Sequence, residues 1–377
     1  NLSYLQTDWY IDQLKRPAYN SPAVPIKWPG YQYLSGVNEY VQVEPDMKAQ
    51  ILALMKQNPV QAKKLLGDNP FELKNIIHNW VLSDNPEMHF IPTDSIILPI
   101  DKKAVLASGM MIPDSLRNNI PDHIVLSLKG KSGLSKSDLM MLEILSNTNW
   151  TRPVYMAITV GPENHLCFDN YFTLEGMAYR ITPFFNANGA RIDADRMYNN
   201  IMTKFKWGGL PENPNIYLDE NIRSMCNSHR RLFAQTATQL IQEGKKDKAL
   251  KLLNYGEKVI PESIVPHDYS CYSQMIAQCY YKLGQRAKAE HILNVLAIKA
   301  TQYLAWYSDF TDAQIQPSAQ NCAMQLYELD EICKILEQNK SPKAKMFRAQ
   351  FYNYYAKLNP RIGGILQQQQ QQSSQEE

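Results

Sequence analysis

Apolar residues recur at two different spacings along this chain, and the change of spacing divides it. Over residues 1–205, short β-branched runs alternate with amphipathic stretches. The apolar runs predict strands over 89–93, 95–100, 123–128, 153–160 and 178–184, and the helical period predicts helices over 7–14, 45–57, 59–66, 70–82 and 135–146. From residue 221 onward the pattern is helical throughout, with helices expected over 221–243, 246–259, 267–283, 286–303, 319–337 and 342–357. The intervening Lys206-Trp-Gly-Gly-Leu-Pro-Glu-Asn-Pro214 is dense in Gly and Pro, which places a linker over 206–220.

In the first half, the run His123 to Leu128 is followed by a Gly-rich loop, then by Ser135 and Asp138 opening a helix, then by Pro153 to Ile158. Ser135 with an acid three positions on is a capping arrangement, since the side-chain oxygens satisfy the first free amides of a helix. Strand, helix and strand at this length imply a right-handed parallel crossover, so the expectation is an α/β domain over 1–205 with a mainly parallel sheet. In the second half, Ala237, Leu240, Gly244, Ala249 and Leu253 recur forty residues later as Ala277, Tyr280, Gly284, Ala289 and Leu293. Small residues let two helices touch and Gly suits the corner between them, which is the spacing of tetratricopeptide hairpins. The expectation is therefore an all-α, tetratricopeptide-like domain over 221–360, a kind of stack that binds rather than catalyses. The last helix pair lacks the Gly-x4-Ala signature, as suits a terminal repeat. A disordered, Gln-rich tail is expected over 361–377 because it has little apolar surface to bury.

Composition narrows the function classes. Lys and Arg number 39 against 37 Asp and Glu, a net charge of +2 that gives nucleic acid binding no support. The six cysteines form no C-x-x-C pair and have no histidine at zinc-finger spacing, so they read as buried free thiols. Cys271 and Cys279 lie eight residues apart on one expected helix, beyond disulfide reach. No run of eighteen apolar residues occurs, so the chain as given contains no expected bilayer span. It starts at Asn1 without Met and without a leader, and Asn1 to Leu5 reads as the end of a strand entering a helix. The expectation is a piece of a longer polypeptide, tied to a membrane only through an absent N-terminal region.

Several separated segments resemble one family. They are Asn1-Leu-Ser-Tyr-Leu-Gln-Thr-Asp-Trp-Tyr-Ile11 with Gln13-Leu14-Lys15, Asn149-Trp-Thr-Arg-Pro-Val-Tyr155, Leu174-Glu-Gly-Met-Ala-Tyr-Arg180, and Phe205-Lys-Trp-Gly208 with Tyr217-Leu-Asp219. Together they resemble the C-terminal region of a Bacteroidetes family of polytopic membrane proteins that is itself similar to membrane protein O-mannosyltransferases. The resemblance implies that preceding membrane helices carry the glycosyl-transfer chemistry. Nothing here matches their catalytic acid, so the resemblance implies an extracytoplasmic accessory region, catalytically silent alone, on the periplasmic face of the inner membrane.

The chemistry-bearing motifs are few. Lys129-Gly-Lys-Ser132 lacks the first glycine of a phosphate loop, that position being Val125, and reads as a flexible strand-to-helix loop. The seven histidines form no H-x-x-x-H pair and no G-x-S-x-G elbow occurs, so no metal, cofactor or catalytic residue is assigned. Asp8, Trp9 and Tyr10, with Arg152, Glu175 and Arg180 flanking later strands, form a candidate ligand cluster, since aromatic faces and hydrogen-bonding forks suit a sugar or a peptide. The competing structural reading makes Trp9 and Trp150 core anchors and Asp8 a helix cap. Asp94-Ser-Ile96 and Asp114-Ser-Leu116 resemble the short acceptor motif of Bacteroidetes O-glycosylation, though Asp-Ser is equally a turn.

Arg223, Arg230, Arg231, Gln235, Gln239, Gln274 and Gln278 lie on the first helices of two hairpins and form a candidate peptide groove, with a solvated helix face as the alternative. Charge reversal at Arg230 and Arg231 is expected to leave stability nearly unchanged. The functional expectation is a non-catalytic accessory domain that binds acceptor polypeptide or partner proteins, with a glycan as a second ligand class. The alternative is a free-standing α/β enzyme or sugar-binding protein with a repeat appendage.

Overall fold

Ile96 and Leu98 alternate with half-buried neighbours in one run, Ile124 and Leu126 alternate with exposed neighbours in another, and these four residues face one core. In the computed structural model, which describes residues 2–213 and 215–373 and side chains as far as Ile365, these runs pair antiparallel, with Ile96 opposite Leu126 and Leu98 opposite Ile124. The chain divides into two units, 1–193 and 194–377. The division falls between Asp193 and Ala194, ahead of the Gly- and Pro-rich stretch expected to mark it.

The first unit contains α1 (Asp8–Leu14), β1 (Tyr40–Gln42), α2 (Met47–Gln57), α3 (Pro59–Leu66), α4 (Leu73–Ile76), β2 (Ser95–Pro99), α5 (Lys102–Ala107), β3 (His123–Ser127) and β4 (Gly133–Ser135). It continues with α6 (Lys136–Thr148), β5 (Tyr155–Ala157), β6 (Phe172–Leu174), β7 (Ala178–Ile181) and β8 (Arg191–Ile192). Its strands form three small sheets, β1-β4, β2-β3 and β5-β7-β6-β8, and among these described strands β6 and β8 alone pair in parallel, beside isolated parallel bridges from Val43 to Ile91 and Glu72 to Ile97.

The expected parallel crossover is not formed. β3 takes β2 as its partner and β5 takes β7, both antiparallel. The loop between β3 and α6 contains a strand of its own, β4, paired with β1. A Cβ at Gly133 would lie 2.3 Å from the ring of Tyr40, so any other residue there would displace that exposed side chain. Lys129 to Ser132 therefore leads into a strand rather than into a helix N-terminus. The segment expected as a strand over 89–93 makes a single bridge, Ile91 to Val43. Residues 2–6 form a 3-10 turn, and Asn1 lies outside the described residues.

α6 is the centre of this unit. Its capping box is present: Ser135 Oγ accepts from the Asp138 amide at 3.3 Å, and Asp138 accepts from the Ser135 amide at 3.1 Å. Leu139, Met140, Leu142 and Leu145 are buried against Trp28, Val105, Phe168 and Phe172 in one hydrophobic cluster. A smaller cluster of Ile51, Leu66, Phe71 and Trp80 lies beneath α2 and α3.

The second unit is helical: α7 (Ala194–Thr203), α8 (Glu220–Gln242), α9 (Lys246–Val259), α10 (Ser273–Lys282), α11 (Arg286–Ser308), α12 (Asp312–Ile315), α13 (Ala319–Gln338) and α14 (Ala344–Ser373). Ala237, Leu240, Ala249, Leu253, Ala277, Tyr280, Ala289 and Leu293, the recurring positions, are all buried. Three pairs of successive helices pack together, α8 with α9, α10 with α11 and α13 with α14. α14 runs on through Gly363 and Gly364 to Ser373, where a disordered tail was expected, since Gln is a good helix former without burying apolar surface. The remaining tail residues, 374–377, and Pro214 of the expected linker lie outside the described residues.

The three corners share one main-chain pattern. Gly244 and Lys245 donate to Ile241 and Leu240, Gly284 and Gln285 to Tyr281 and Tyr280, and Lys340 and Ser341 to Glu337 and Leu336. Gly244 and Gly284 hold φ of 75° and 74°, and Lys340 holds 52° at the equivalent place. A left-handed backbone costs a residue with a Cβ about 1–2 kcal/mol. Lys340→Gly is therefore expected to stabilise the helical unit by about 1 kcal/mol and Gly244→Ala to destabilise it by at least about as much. Chemical unfolding followed by far-UV circular dichroism measures both; loss of stability in Lys340→Gly would contradict the shared-corner account.

Candidate functional site

An edge strand leaves one row of main-chain groups unpaired by its own sheet, and β5 is at the edge of the four-stranded sheet. Beside it lies a groove of about 1000 Å³. Val154 to Ala157 and the following turn, Thr159 to Asn164, form one wall, the face of α6 carrying Ser137, Met141 and Ile144 forms the floor, and Leu2 to Gln6 with Tyr10 of α1 form the other wall. Ile181 donates its amide to Val154 O at 3.0 Å and Ile158 donates to Met177 O at 3.2 Å. By the alternation of an antiparallel ladder, the Ala157 N–H is directed to the side away from β7.

The turn after β5 is fixed by His165, whose Nδ1 lies 2.6 Å from Asp169 Oδ1 and whose Nε2 lies 3.0 Å from Val160 O. Both ring nitrogens face acceptors, so this buried imidazole ties the turn to Asp169 and Val160. The i, i+4 spacing of His165 and Asp169 was the sequence signal for it, and the candidate residues did not include either.

The structure separates the six residues of the ligand cluster. Tyr10 lines the groove, while Trp9 is 56% exposed and makes aromatic contacts with Tyr4 and Tyr10 at centroid distances of 5.7 and 5.6 Å. Trp9 is thus not a core anchor; Trp150 is, with its ring N–H on Pro99 O at 2.9 Å. Asp8 is the first residue of α1 and accepts from the Trp9 amide, while Thr7 occupies the cap position. Arg152 donates to the carbonyls of Pro22 and Ala23 at 3.3 and 3.0 Å. Glu175 and Arg180 are buried as an ion pair at 3.6 Å, with Tyr155 Oη donating to Glu175 at 2.7 Å and Arg180 donating to Ser108 O at 3.1 Å. One link to the groove remains, because Tyr155 lines it.

The helical candidates also divide. Arg230, expected on an exposed face, is 4% exposed, and its guanidinium donates to Pro266 O, Ile260 O and Val265 O at 2.9, 3.2 and 2.7 Å. The loop between α9 and α10 has few main-chain partners of its own, and Arg230 supplies them. Arg223 donates to Leu218 O, and Arg231 donates to Ser270 O and lies over the Tyr272 ring. Gln239 donates to Glu243, and Gln235, Gln274 and Gln278 are half-buried, the Gln274 carbonyl oxygen being buried without a hydrogen-bond partner.

A cavity of about 480 Å³ opens beside Arg230, lined in part by Phe233, Glu257, Glu262, His267 and His291. Its charged groups are mutually satisfied: Glu257 pairs with Lys288, and Glu262 with His291. Burial, the Arg230 charge and the nearby His291 pull the His267 imidazole down to about 3.

All six cysteines are free, and burial pushes Cys167 up to about 12 and Cys322 and Cys333 up to about 11. Among the described residues, no group of three or more His, Cys, Asp or Glu is placed to hold a metal ion, and no helix is long and apolar enough to cross a membrane.

Fold and site together define an α+β unit with a groove along an edge strand, followed in the chain by an all-helical unit. A family described as TMEM260-associated domain 2 matches residues 1–200, more than half of the 377, and the chain belongs to that family. The match covers the whole groove. The family name marks a domain associated with a membrane protein. No curated protein and no solved structure matches the chain.

Two outcomes follow for the helical unit. Replacing Arg230 with Met strands three carbonyls and is expected to destabilise the unit by about 3 kcal/mol in chemical unfolding. A loss under about 1 kcal/mol would mean that the loop finds other donors. His267 is neutral in the folded state and ordinary when unfolded, so its contribution is present at neutral pH and is lost as pH falls below about 6.5 towards 3. Glu328, pushed up to about 7, acts in the opposite direction, its contribution being lost as pH rises between the ordinary carboxyl range and 7. The clean observable is a difference: the stability advantage of the wild type over His267→Gln should fall by about 2 kcal/mol between pH 7.5 and pH 5. A constant difference would rule out a neutral buried His267.

Proposed function

We propose that this chain is a non-catalytic accessory region of a membrane glycosyltransferase-like protein, and that it holds acceptor polypeptide as an added strand along β5. The observation that carries the reading is the groove of about 1000 Å³ beside that edge strand, which lies inside the matched region. Main-chain pairing recognises extended backbone whatever its side chains, which suits a domain serving many acceptor sequences. Tyr10 and Tyr155 supply broad, stiff surfaces for the side chains that point into the groove. In this reading the tetratricopeptide-like spacing of the helical unit supports a second role in partner binding, with Arg231 and Gln239 among its accessible polar groups. The resemblance to O-mannosyltransferase-like membrane proteins supports placement on the outer, periplasmic side of the inner membrane, with sugar-transfer chemistry supplied elsewhere.

Ala157→Pro tests the strand-addition reading, because proline removes the outward N–H and is tolerated at a sheet edge. Capture of an extended acceptor peptide, measured by a photo-crosslinker installed at the exposed Thr159, is expected to fall at least tenfold while the thermal transition moves by only a few degrees. Equal crosslinking in a folded Ala157→Pro protein would remove the edge strand from the mechanism. Crosslinking found only from position 231 would transfer acceptor binding to the helical unit.

A further inference from the structure

We propose that the cleft between the turn preceding α10, α11 and α13 binds a cationic side chain, arginine or lysine, presented by a peptide partner. The cleft has a volume of about 270 Å³, enough for one long side chain. Asp268 and Tyr269 come from the turn, Lys299, Tyr303 and Tyr307 from α11, and Glu328 from α13. The assignment lies wholly in the helical unit and does not depend on the edge-strand reading above.

The charge count argues for the occupant. Two carboxyl groups and one cation line the cleft. Lys299 is already committed to Asp268, which also accepts the Ser270 amide at 2.9 Å and its hydroxyl at 2.5 Å. Among the described residues, Glu328 is left as the half-buried carboxyl of the cleft without an ion-pair partner. Its neighbours explain its state: burial and the Asp268 charge raise it, Lys299 and Gln325 lower it, and the balance lies at about 7. Tyr269, Tyr303 and Tyr307 complete the facing groups, with Tyr327 and Glu331 of α13 acting on Tyr269 from behind. At neutral pH the empty cleft therefore holds a proton on Glu328 part of the time, and a guanidinium or ammonium would replace it. Binding and loss of that proton are linked, and a neutral side chain of the same shape gains nothing from the exchange.

The walls fit the same ligand. Tyrosine ring faces attract cations at short range, most strongly where water is partly excluded. Tyr303 and Met324 of the lining, with Trp306 and Tyr327 in ring contact with Tyr303 and Tyr269, are all more than two-fifths exposed, although large apolar side chains of this kind are usually covered. They offer apolar contact to the residues flanking an inserted cation. The cavity beside Arg230 lacks this asymmetry, since its carboxylates are each paired within the chain.

The probes are acetyl-Leu-Arg-Leu amide and its citrulline counterpart, which keeps the shape and loses the charge. Titration of the whole chain, followed by carbon NMR of labelled Glu side chains, is expected to show the Glu328 midpoint moving down by at least one pH unit with the arginine peptide and staying in place with the citrulline peptide. Glu328→Gln, nearly isosteric with the protonated carboxyl, is expected to weaken arginine-peptide binding at least tenfold at pH 8 with its thermal transition retained. Tyr303→Leu provides a second variant at an exposed wall and is expected to weaken binding at least threefold. Equal affinity for the two peptides, no binding of either at millimolar concentration, or an unmoved Glu328 midpoint at saturation would each overturn the assignment.

Discussion

Main-chain carbonyls in irregular segments need donors, and in this protein long cationic side chains supply them. No strand of the first unit exceeds five residues, so sheet pairing satisfies only part of the backbone there. Lys15 donates to Trp28 O at 2.6 Å, Lys136 to Leu34 O at 2.9 Å, and Arg152 to Ala23 O at 3.0 Å. The converse also occurs, with buried Glu143 accepting the Lys27 amide at 2.7 Å across more than a hundred residues of sequence. Lys136 is fully buried and tied to Glu39 at 2.7 Å, so the start of α6 and the segment entering β1 are locked by charge as well as by packing. In the helical unit, Arg230 does for the α9–α10 loop what Lys136 does for the chain ahead of β1.

That constraint accounts for where the charged candidates lie. Arg152, Arg180 and Arg230 have the residue type and the position, flanking strands or on a helix face, that ligand-binding arginines also have. What separates the two uses is whether a carbonyl of the same chain reaches the guanidinium first. For Arg230 the carbonyls lie thirty or more residues away, at Ile260, Val265 and Pro266, and no local pattern announces them. Trp9 is the reverse case. A large aromatic is usually buried, yet this one stands 56% exposed beside two tyrosines because α1 is a surface helix that buries only Ile11.

Elements were more legible than their pairings. The capping box at Ser135 and Asp138, the apolar alternation of β2 and β3, and the recurrence through Gly244 and Gly284 are local signals, and each corresponds to a local structure. The parallel crossover was an inference from element order alone. It failed because three-residue strands carry almost no periodicity: β1 and β4 pair across ninety residues on the strength of one buried position each, Val41 and Leu134. β3 pairs with β2 and β5 with β7, so the two strands belong to different sheets and the crossover is not formed. The groove inherits this difficulty, since a β5 edge exists only after β7 has been chosen as its partner.

The two proposed recognition surfaces differ in what they read, and the difference follows from their elements. An edge strand offers main-chain groups at a fixed repeat, so it selects an extended conformation and tolerates sequence. A cleft between helices offers side chains only, so the cleft at Glu328 selects by charge. The titratable groups that would be needed for covalent chemistry are held differently again: His165 between two acceptors, His267 neutral against Ser273, and Cys167, Cys322 and Cys333 far from the thiolate form. His165 and His267 are thus tied into local turns and the thiols are held in their protonated form, while the family name associates this domain with a membrane protein.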